Sequence, residues 1–204
     1  MEIGEFLQFV RGRRSIRKFR EDPVPKEIIY HLIEAASWAP SASNRQDWEF
    51  TVIASPGMRQ KMGEIVQNRW QSILAESLQG AVTDELKGYV SNFDWFSRAP
   101  VVVVVSAKRP ERFLSHLLGE TAEDVEGGKI SAAMATQNLM LAAHAAGIGS
   151  CCVTGPLAAR EALGELLGLG KRRAIVCLVA LGYPAEEPAP PSRRPVSKIV
   201  RFLE

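Results

Sequence analysis

At 204 residues the chain is long enough for one domain to bury a sizeable core. Its apolar fraction of 46% and charged fraction of 24% are those of a soluble globular protein, and a formal net charge of +2 excludes the broad basic face of a nucleic-acid or membrane-surface binder. No apolar run is long enough to span a membrane, and the start MEIGEFLQFVRGRRS lacks a signal-peptide layout. Cys151, Cys152 and Cys177 make neither a disulfide framework nor a zinc spacing, so the expected setting is cytoplasmic.

Glu2–Arg11 reads as a short amphipathic helix with Ile3, Phe6, Leu7 and Val10 on one face. A basic segment follows, and Pro25 then opens a helix in which Ile28, Ile29, Leu32, Ile33 and Ala36 repeat at helical spacing up to Ala39-Pro40. Glu49–Ala54 has strand composition and ends at Ser55-Pro56-Gly57. Helix is expected from Met58 to about Gln79, then a polar, less regular stretch to Arg98. Ala99–Ala107 (APVVVVVSA) is β-branched throughout and predicts a central strand. Pro110–Gly128 shows no period and reads as a candidate loop or lid. Lys129–Ala146 carries few charges and predicts a helix buried on most sides, stopped by Gly147 and Gly149. Ala158–Leu167 follows as a short helix and Ala174–Leu181 as a second buried strand. A Pro-rich tail then leads to a last element, Val196–Leu203. There is no internal repeat, and the expected organisation is a single domain over 1–204.

Two segments carry chemistry. Six of the ten residues from 11 to 20 are Arg or Lys, with Ser15 among them, a concentration of charge suited to a phosphate-bearing ligand. Between Pro40 and Trp48 lie Ser41, Ser43, Asn44 and Gln46, short polar groups on a tight loop beside an aromatic wall. Donors and acceptors so placed suit a planar heterocycle. Together they point to a nucleotide-like cofactor with a phosphate at one end and a flat polar ring at the other.

The order of four motifs resembles the FMN-dependent nitroreductase family over essentially the whole chain. They are Arg-Arg-Ser-x-Arg before a helix, Pro-Ser-x-x-Asn-x-Gln-x-Trp-x-Phe opening a strand, a Gly-Ile-Gly turn after a buried helix, and Leu-Gly-Tyr-Pro before a basic tail. The resemblance implies an α+β fold, a mostly antiparallel central sheet wrapped by helices, in an intertwined homodimer with FMN at the subunit interface. It implies reduction by NADH or NADPH and transfer to a nitroaromatic, quinone or related small-molecule acceptor by a ping-pong route. A C-terminal arm, about 184–204, would reach over the partner. Specialised relatives dehalogenate iodotyrosine or dismantle FMN, and a non-enzymatic flavin store of the same fold is a further alternative.

Carried over residue by residue, the resemblance places Arg13, Arg14 and Ser15 at the phosphate and ribityl chain, and Arg17 at the pyrimidine edge of the flavin. Arg11, Lys18 and Arg20 read as a solvated basic face. Pro40, Ser41, Ala42, Ser43 and Asn44 match the loop that one subunit presents to the other's flavin, although Ser43 equally suits a helix stop. Gln46 and Trp48 belong to this loop more as its supports than as ring contacts. Asp47 stands where the family commonly has proline. Thr154 and Gly155 fall where the family places a backbone N–H near flavin N5. One of Arg193 and Arg194 matches a basic position that closes on the phosphate. No side chain need act as a catalyst, since the flavin carries the chemistry. Cys151 and Cys152 read as small buried residues, His144 as a hydrogen-bonded core residue and His116 as part of the candidate lid. The histidines show no metal spacing.

Overall fold

The computed structural model describes residues 2–77, 88, 90, 92–109 and 127–203. It is an α+β fold whose one sheet holds four strands in the order β1-β2-β4-β3, every neighbouring pair antiparallel. The strands are β1 (Trp48–Ile53), β2 (Val101–Lys108), β3 (Gly149–Val153) and β4 (Arg173–Gly182). Five α-helices are described around them: α1 (Ile3–Gly12), α2 (Lys26–Ser37), α3 (Pro56–Ser77), α4 (Gly127–Ala145) and α5 (Arg160–Leu166). This is the sheet-and-helix architecture that the sequence leads one to expect. Most of the candidate lid, together with His116, lies outside the described residues.

The unbroken valine run of β2 has a simple cause. Successive side chains of a strand point to opposite faces, so a strand covered on both faces must be apolar at every position. Val101, Val103 and Val105 face a core shared with Ile29, Leu32 and Ala36 of α2 and Ala132, Ala135 and Leu139 of α4. Val102 and Val104 face the opposite core, with Met62 and Val66 of α3, Phe96, and Leu163 of α5. The two inner strands, β2 and β4, therefore lie between two helical layers.

Helix α4 stops as expected. Gly147 has φ +70°, the left-handed conformation that glycine adopts without strain. Ile148 N donates to Ala143 O at 2.8 Å and Gly147 N to His144 O at 3.2 Å, the paired bonds of a Schellman cap. Gly149 has a different role from the one assigned by the sequence: it is the first residue of β3. That strand escapes pattern reading because GSCCV is short and lacks alternation; pairing with β4 along Gly149↔Gly182 to Val153↔Leu178 gives it its geometry.

Other expectations give way to exposure. α1 forms, yet it buries none of its residues, and Ile3, Phe6, Leu7 and Val10 are open to solvent. α4 is covered on one broad face only, leaving Ile130 and Met134 exposed. The last element reduces to a 3-10 turn, Val196–Lys198, with Val200, Phe202 and Leu203 exposed beyond it.

Because nothing lies within 4 Å of a Cβ built on Gly147, a Gly147→Ala substitution would add backbone strain without a clash. The expected loss is about 1 kcal/mol of stability. Urea unfolding monitored by circular dichroism will show it as a lower midpoint with an unchanged slope.

Candidate functional site

The basic segment lies extended along the outer edge of β3. Ser15 bridges Ser150 in parallel, and Ile16 N donates to Ser150 O at 3.1 Å. Ile16 points inward, 7% exposed, and seats on Gly149, where a Cβ would come within 2.9 Å of Ile16 Cγ2. Alternation then turns Arg13, Ser15 and Arg17 to the other face. The charges of Arg17 and Arg13 partly offset the effect of burial on the Cys151 thiol, which itself donates to Cys152 O at 3.6 Å.

Within that trio Arg13 stands out. Its Nη1 is buried and lacks a hydrogen-bond partner among the described residues. A buried guanidinium donor without an acceptor is costly, and an anion placed there would satisfy it. Arg14 differs: its Nη1 is spent on Arg11 O at 2.6 Å and Arg13 O at 2.9 Å. Arg20 pairs with Asp22 at 3.3 Å and lies over Tyr183, in keeping with a solvated basic face.

The tail fixes this segment from the other side. Ala185 N donates to Lys18 O, Arg20 N donates to Tyr183 O, and one carboxylate oxygen of Glu186 accepts from Arg17 N at 2.6 Å and Lys18 N at 3.0 Å. Sequence reasoning missed Glu186, because an acid between prolines carries no signal of what it will meet. The segment, the start of β3 and the tail enclose a cavity of about 660 Å³.

At the far end of β3, exposed Thr154 leads into a 3-10 turn, Gly155–Ala159. Gly155 is the turn's first residue, so its N–H has no acceptor within the turn. Its carbonyl accepts from Trp70 Nε1 at 3.0 Å, and Phe93, stacked on Trp70 at 4.6 Å, lies where a Cβ on Gly155 would collide. The peptide is thus held from behind, with its N–H facing outward from the turn. The role of Phe93 in holding Gly155 was not legible in the sequence.

The polar loop sits elsewhere. It runs into β1, and three strand spacings, about 14 Å, separate β1 from β3. One chain therefore does not bring the residues 40–46 to the Arg13–Arg17 face. Ser43, Asn44 and Gln46 all have left-handed φ, at 53°, 52° and 50°. Such strain in non-glycine residues persists only where surroundings enforce it, and it is concentrated at functional sites. Ser41 Oγ accepts from Gln46 N at 2.7 Å, Gln46 Nε2 donates to Asn44 Oδ1 at 3.1 Å, and Ala42 N donates to Ser131 Oγ at 3.3 Å. Gln46 is thus a support of the loop. Asp47 replaces stiffness with charge: its carboxylate meets Arg45 Nε at 3.2 Å and Lys108 Nζ at 3.9 Å.

Arg193 and Arg194 are exposed, and their hydrogen bonds stay within the tail, to Ser192 O and Lys198 O. Within one chain they do not join Arg13. Cys151 is buried as expected, but Cys152 is exposed, being on an edge strand. His144 is not a core residue: it is half-buried, lines the cavity and packs on Phe9 at 4.9 Å between ring centroids. Among the described residues no three His, Cys, Asp or Glu side chains cluster as metal ligands, and no helix is long and apolar enough to cross a membrane.

Comparison with known proteins settles the lineage. The profile of the Nitroreductase family matches residues 10–183, most of the chain. The chain belongs to the nitroreductase family. Within it, the chain is 32% identical to an NADH dehydrogenase of Thermus thermophilus, over 92% of this chain and 91% of that one. It is 27% identical to an iodotyrosine deiodinase of Hydra vulgaris, over 97% of this chain and 72% of that one. It spans about two thirds of the length of several deiodinases that it matches. A BluB-like flavoprotein from Clostridium difficile 630 superposes with a TM-score of 0.86 at 28% identity, each chain covered completely. A nitroreductase with bound FMN from Bacteroides fragilis shares the fold, with a TM-score of 0.71 at 21% identity over 98% of this chain and 99% of that one.

Two tests follow for this family member. Asp47→Asn removes the charge that holds Arg45 and Lys108, at a cost of about 1 kcal/mol confined to the loop. Hydrogen exchange of residues 41–47 will then accelerate about fivefold while the melting temperature barely moves. The second test concerns the thiols. Burial pushes Cys151 up, and the neighbouring Cys177 thiol pushes Cys152 up. Raised values leave little thiolate at neutral pH, so exposed Cys152 will alkylate with iodoacetamide at least about tenfold more slowly than free cysteine at about pH 7.5. Mass spectrometry of the intact protein measures the rate.

Proposed function

We propose that this chain is an FMN-dependent oxidoreductase that takes electrons from NADH or NADPH and delivers them to a nitroaromatic, quinone or related acceptor. The observation that carries the reading is Arg13, half-buried along the edge of β3, whose buried Nη1 has no hydrogen-bond partner among the described residues and which backbone alternation sets on one face with Ser15 and Arg17. From Arg13 to Arg17 the extended chain covers about 13 Å, a span suited to a ligand with phosphate at one end and a ring at the other. FMN, when bound, supplies two-electron transfer between a reduced nicotinamide and an acceptor.

The residues then take distinct tasks. Arg13 binds the phosphate, with Ser15 as a further donor on the ribityl chain. Arg17 presents its charge to the ring's pyrimidine edge, where it favours electron-rich flavin. The Gly155 N–H, oriented by Trp70 and Phe93, supplies a fixed donor at the opposite edge of the pyrimidine–pyrazine system. Arg14, already bonded to backbone carbonyls, contributes charge more than direct contact.

A second chain completes the site. The Asn44 loop lies too far from β3 to serve its own chain, while α1, Trp38, Ile130, Met134 and the tail expose apolar surface that a homodimer would cover. In this reading Pro40, Ser41, Ala42, Ser43 and Asn44 reach the partner's flavin, Gln46 holds that loop in shape, and Arg193 or Arg194 closes on the partner's phosphate from an arm over 184–204. The whole chain, 1–204, then acts as a single domain in a cytoplasmic setting. The deiodinase relatives favour a second reading, reductive dehalogenation of an iodotyrosine by the same reduced flavin.

The deciding experiment is the visible spectrum of the purified protein before and after anaerobic addition of NADH or NADPH. Flavin bands that bleach, and that recover on adding a nitroaromatic, a quinone or iodotyrosine, establish the reading and name the acceptor class. Bands that persist indicate flavin storage, and no bands even after adding FMN would sink it. Arg13→Ala is expected to weaken FMN binding by about 10- to 100-fold while leaving riboflavin binding unchanged, as fluorescence titration will show.

A further inference from the structure

His144 belongs to neither core, and four observations place it beside the Arg13 end of the basic segment. It lines the same cavity as Arg13 and Arg14. The parallel bridge Ser15↔Ser150 sets Arg13 abreast of Ile148, one helical turn beyond His144, whereas Arg17 lies toward the Thr154 end. The imidazole is fixed in place: its ring packs on Phe9 at 34° to that ring, and a Cβ on Gly12 would come within 2.9 Å of its Nε2. Neither ring nitrogen has a hydrogen-bond partner among the described residues, although the ring stands in the last turn of α4, where a helix favours a cation.

From this arrangement, and resting on the flavin reading above, we propose that His144 is a phosphate-binding residue of the cofactor site, a further donor beside Arg13. Glycine at position 12 is what allows the ring to approach the backbone immediately before Arg13. The charged groups that face the cavity with it are Arg13 and Arg14 from the basic segment and Glu186 and Glu187 from the tail. From α1, the uncharged Phe9 and Gly12 lie against the ring. Glu186 is already engaged with two backbone N–H groups, so it does not pair with the imidazole through that oxygen. Histidine exchanges its proton between about pH 5 and 8. The protonated ring donates to a phosphate oxygen with charge assistance, and the neutral ring does so more weakly.

The experiment compares FMN and riboflavin binding to apoprotein by flavin fluorescence, for the natural chain, His144→Gln and His144→Phe, between about pH 5.5 and 8.5. The phosphate of FMN itself ionises further near about pH 6, which strengthens binding as pH rises in all three proteins, so the readout is the ratio of dissociation constants between natural and substituted chains. At about pH 6 the natural chain is expected to hold FMN about tenfold more tightly than His144→Gln. His144→Phe, which keeps the ring against Phe9, should lose the same amount. Riboflavin, which lacks the phosphate, should bind all three equally. An FMN ratio of one at every pH overturns the proposal. So does an equal loss for FMN and riboflavin, which would assign His144 a purely structural role. A natural chain that binds neither flavin overturns the proposal together with the flavin reading, whereas normal FMN binding without a His144 effect overturns the proposal alone.

Discussion

The edge of β3 is what the site depends on. A short strand at the border of a sheet leaves a row of unpaired N–H and C=O groups, and here the basic segment covers it through Ser15 and Ile16. The contact requires a residue without a side chain at position 149, because Ile16 occupies that space. Once Ile16 is seated, the alternation of an extended chain decides which cations share a face with Ser15 and which do not. Arg13 and Arg17 are turned to one face with Ser15, while Arg14 is left to bond backbone carbonyls. Charge at the site is thus sorted by an apolar contact.

The same logic explains the unequal status of the site's halves. The basic edge of β3 is held by the tail, whereas the strained loop over 43–46 is built three strands away and supported by α4 through Ser131. Among the described residues the large apolar side chains that remain open lie on α1, on α2 at Tyr30 and just past its end at Trp38, on α4 and on the tail. The loop keeps its unusual backbone through hydrogen bonds among Ser41, Asn44 and Gln46, and through the carboxylate of Asp47 where a proline ring would otherwise have restricted the chain.

How far the sequence discloses this follows from which forces are local. The valine run of β2, the apolar spacing of α2 and the left-handed stop at Gly147 are written in neighbouring residues, and the structure has all three. β3 is not so written, since its geometry comes from β4 rather than from GSCCV itself. The basic segment declared its charge but not its sorting: Arg13 and Arg14 are equivalent until Ile16 chooses a side. Glu186 and His144 were misjudged or missed for the same reason, as each acquires meaning only from a segment more than 100 positions away. α1 shows the converse limit, for its apolar stripe is legible while the surface that would cover it belongs to no segment of the described chain.

The hydrogen bonds from Arg17 and Lys18 to Glu186 join residues 169 and 168 positions apart. Bringing such distant segments together requires closing a loop of nearly the entire polypeptide, an entropic cost recovered only after the intervening sheet exists. The ligand face is therefore a late product of folding, completed when both ends of the chain are available. During synthesis the amino-terminal cations emerge first and wait for the carboxyl-terminal acid that fixes them. A chain interrupted before residue 186 keeps the partners of Ser15 and Ile16 on β3, yet lacks the carboxylate that bonds Arg17 N and Lys18 N.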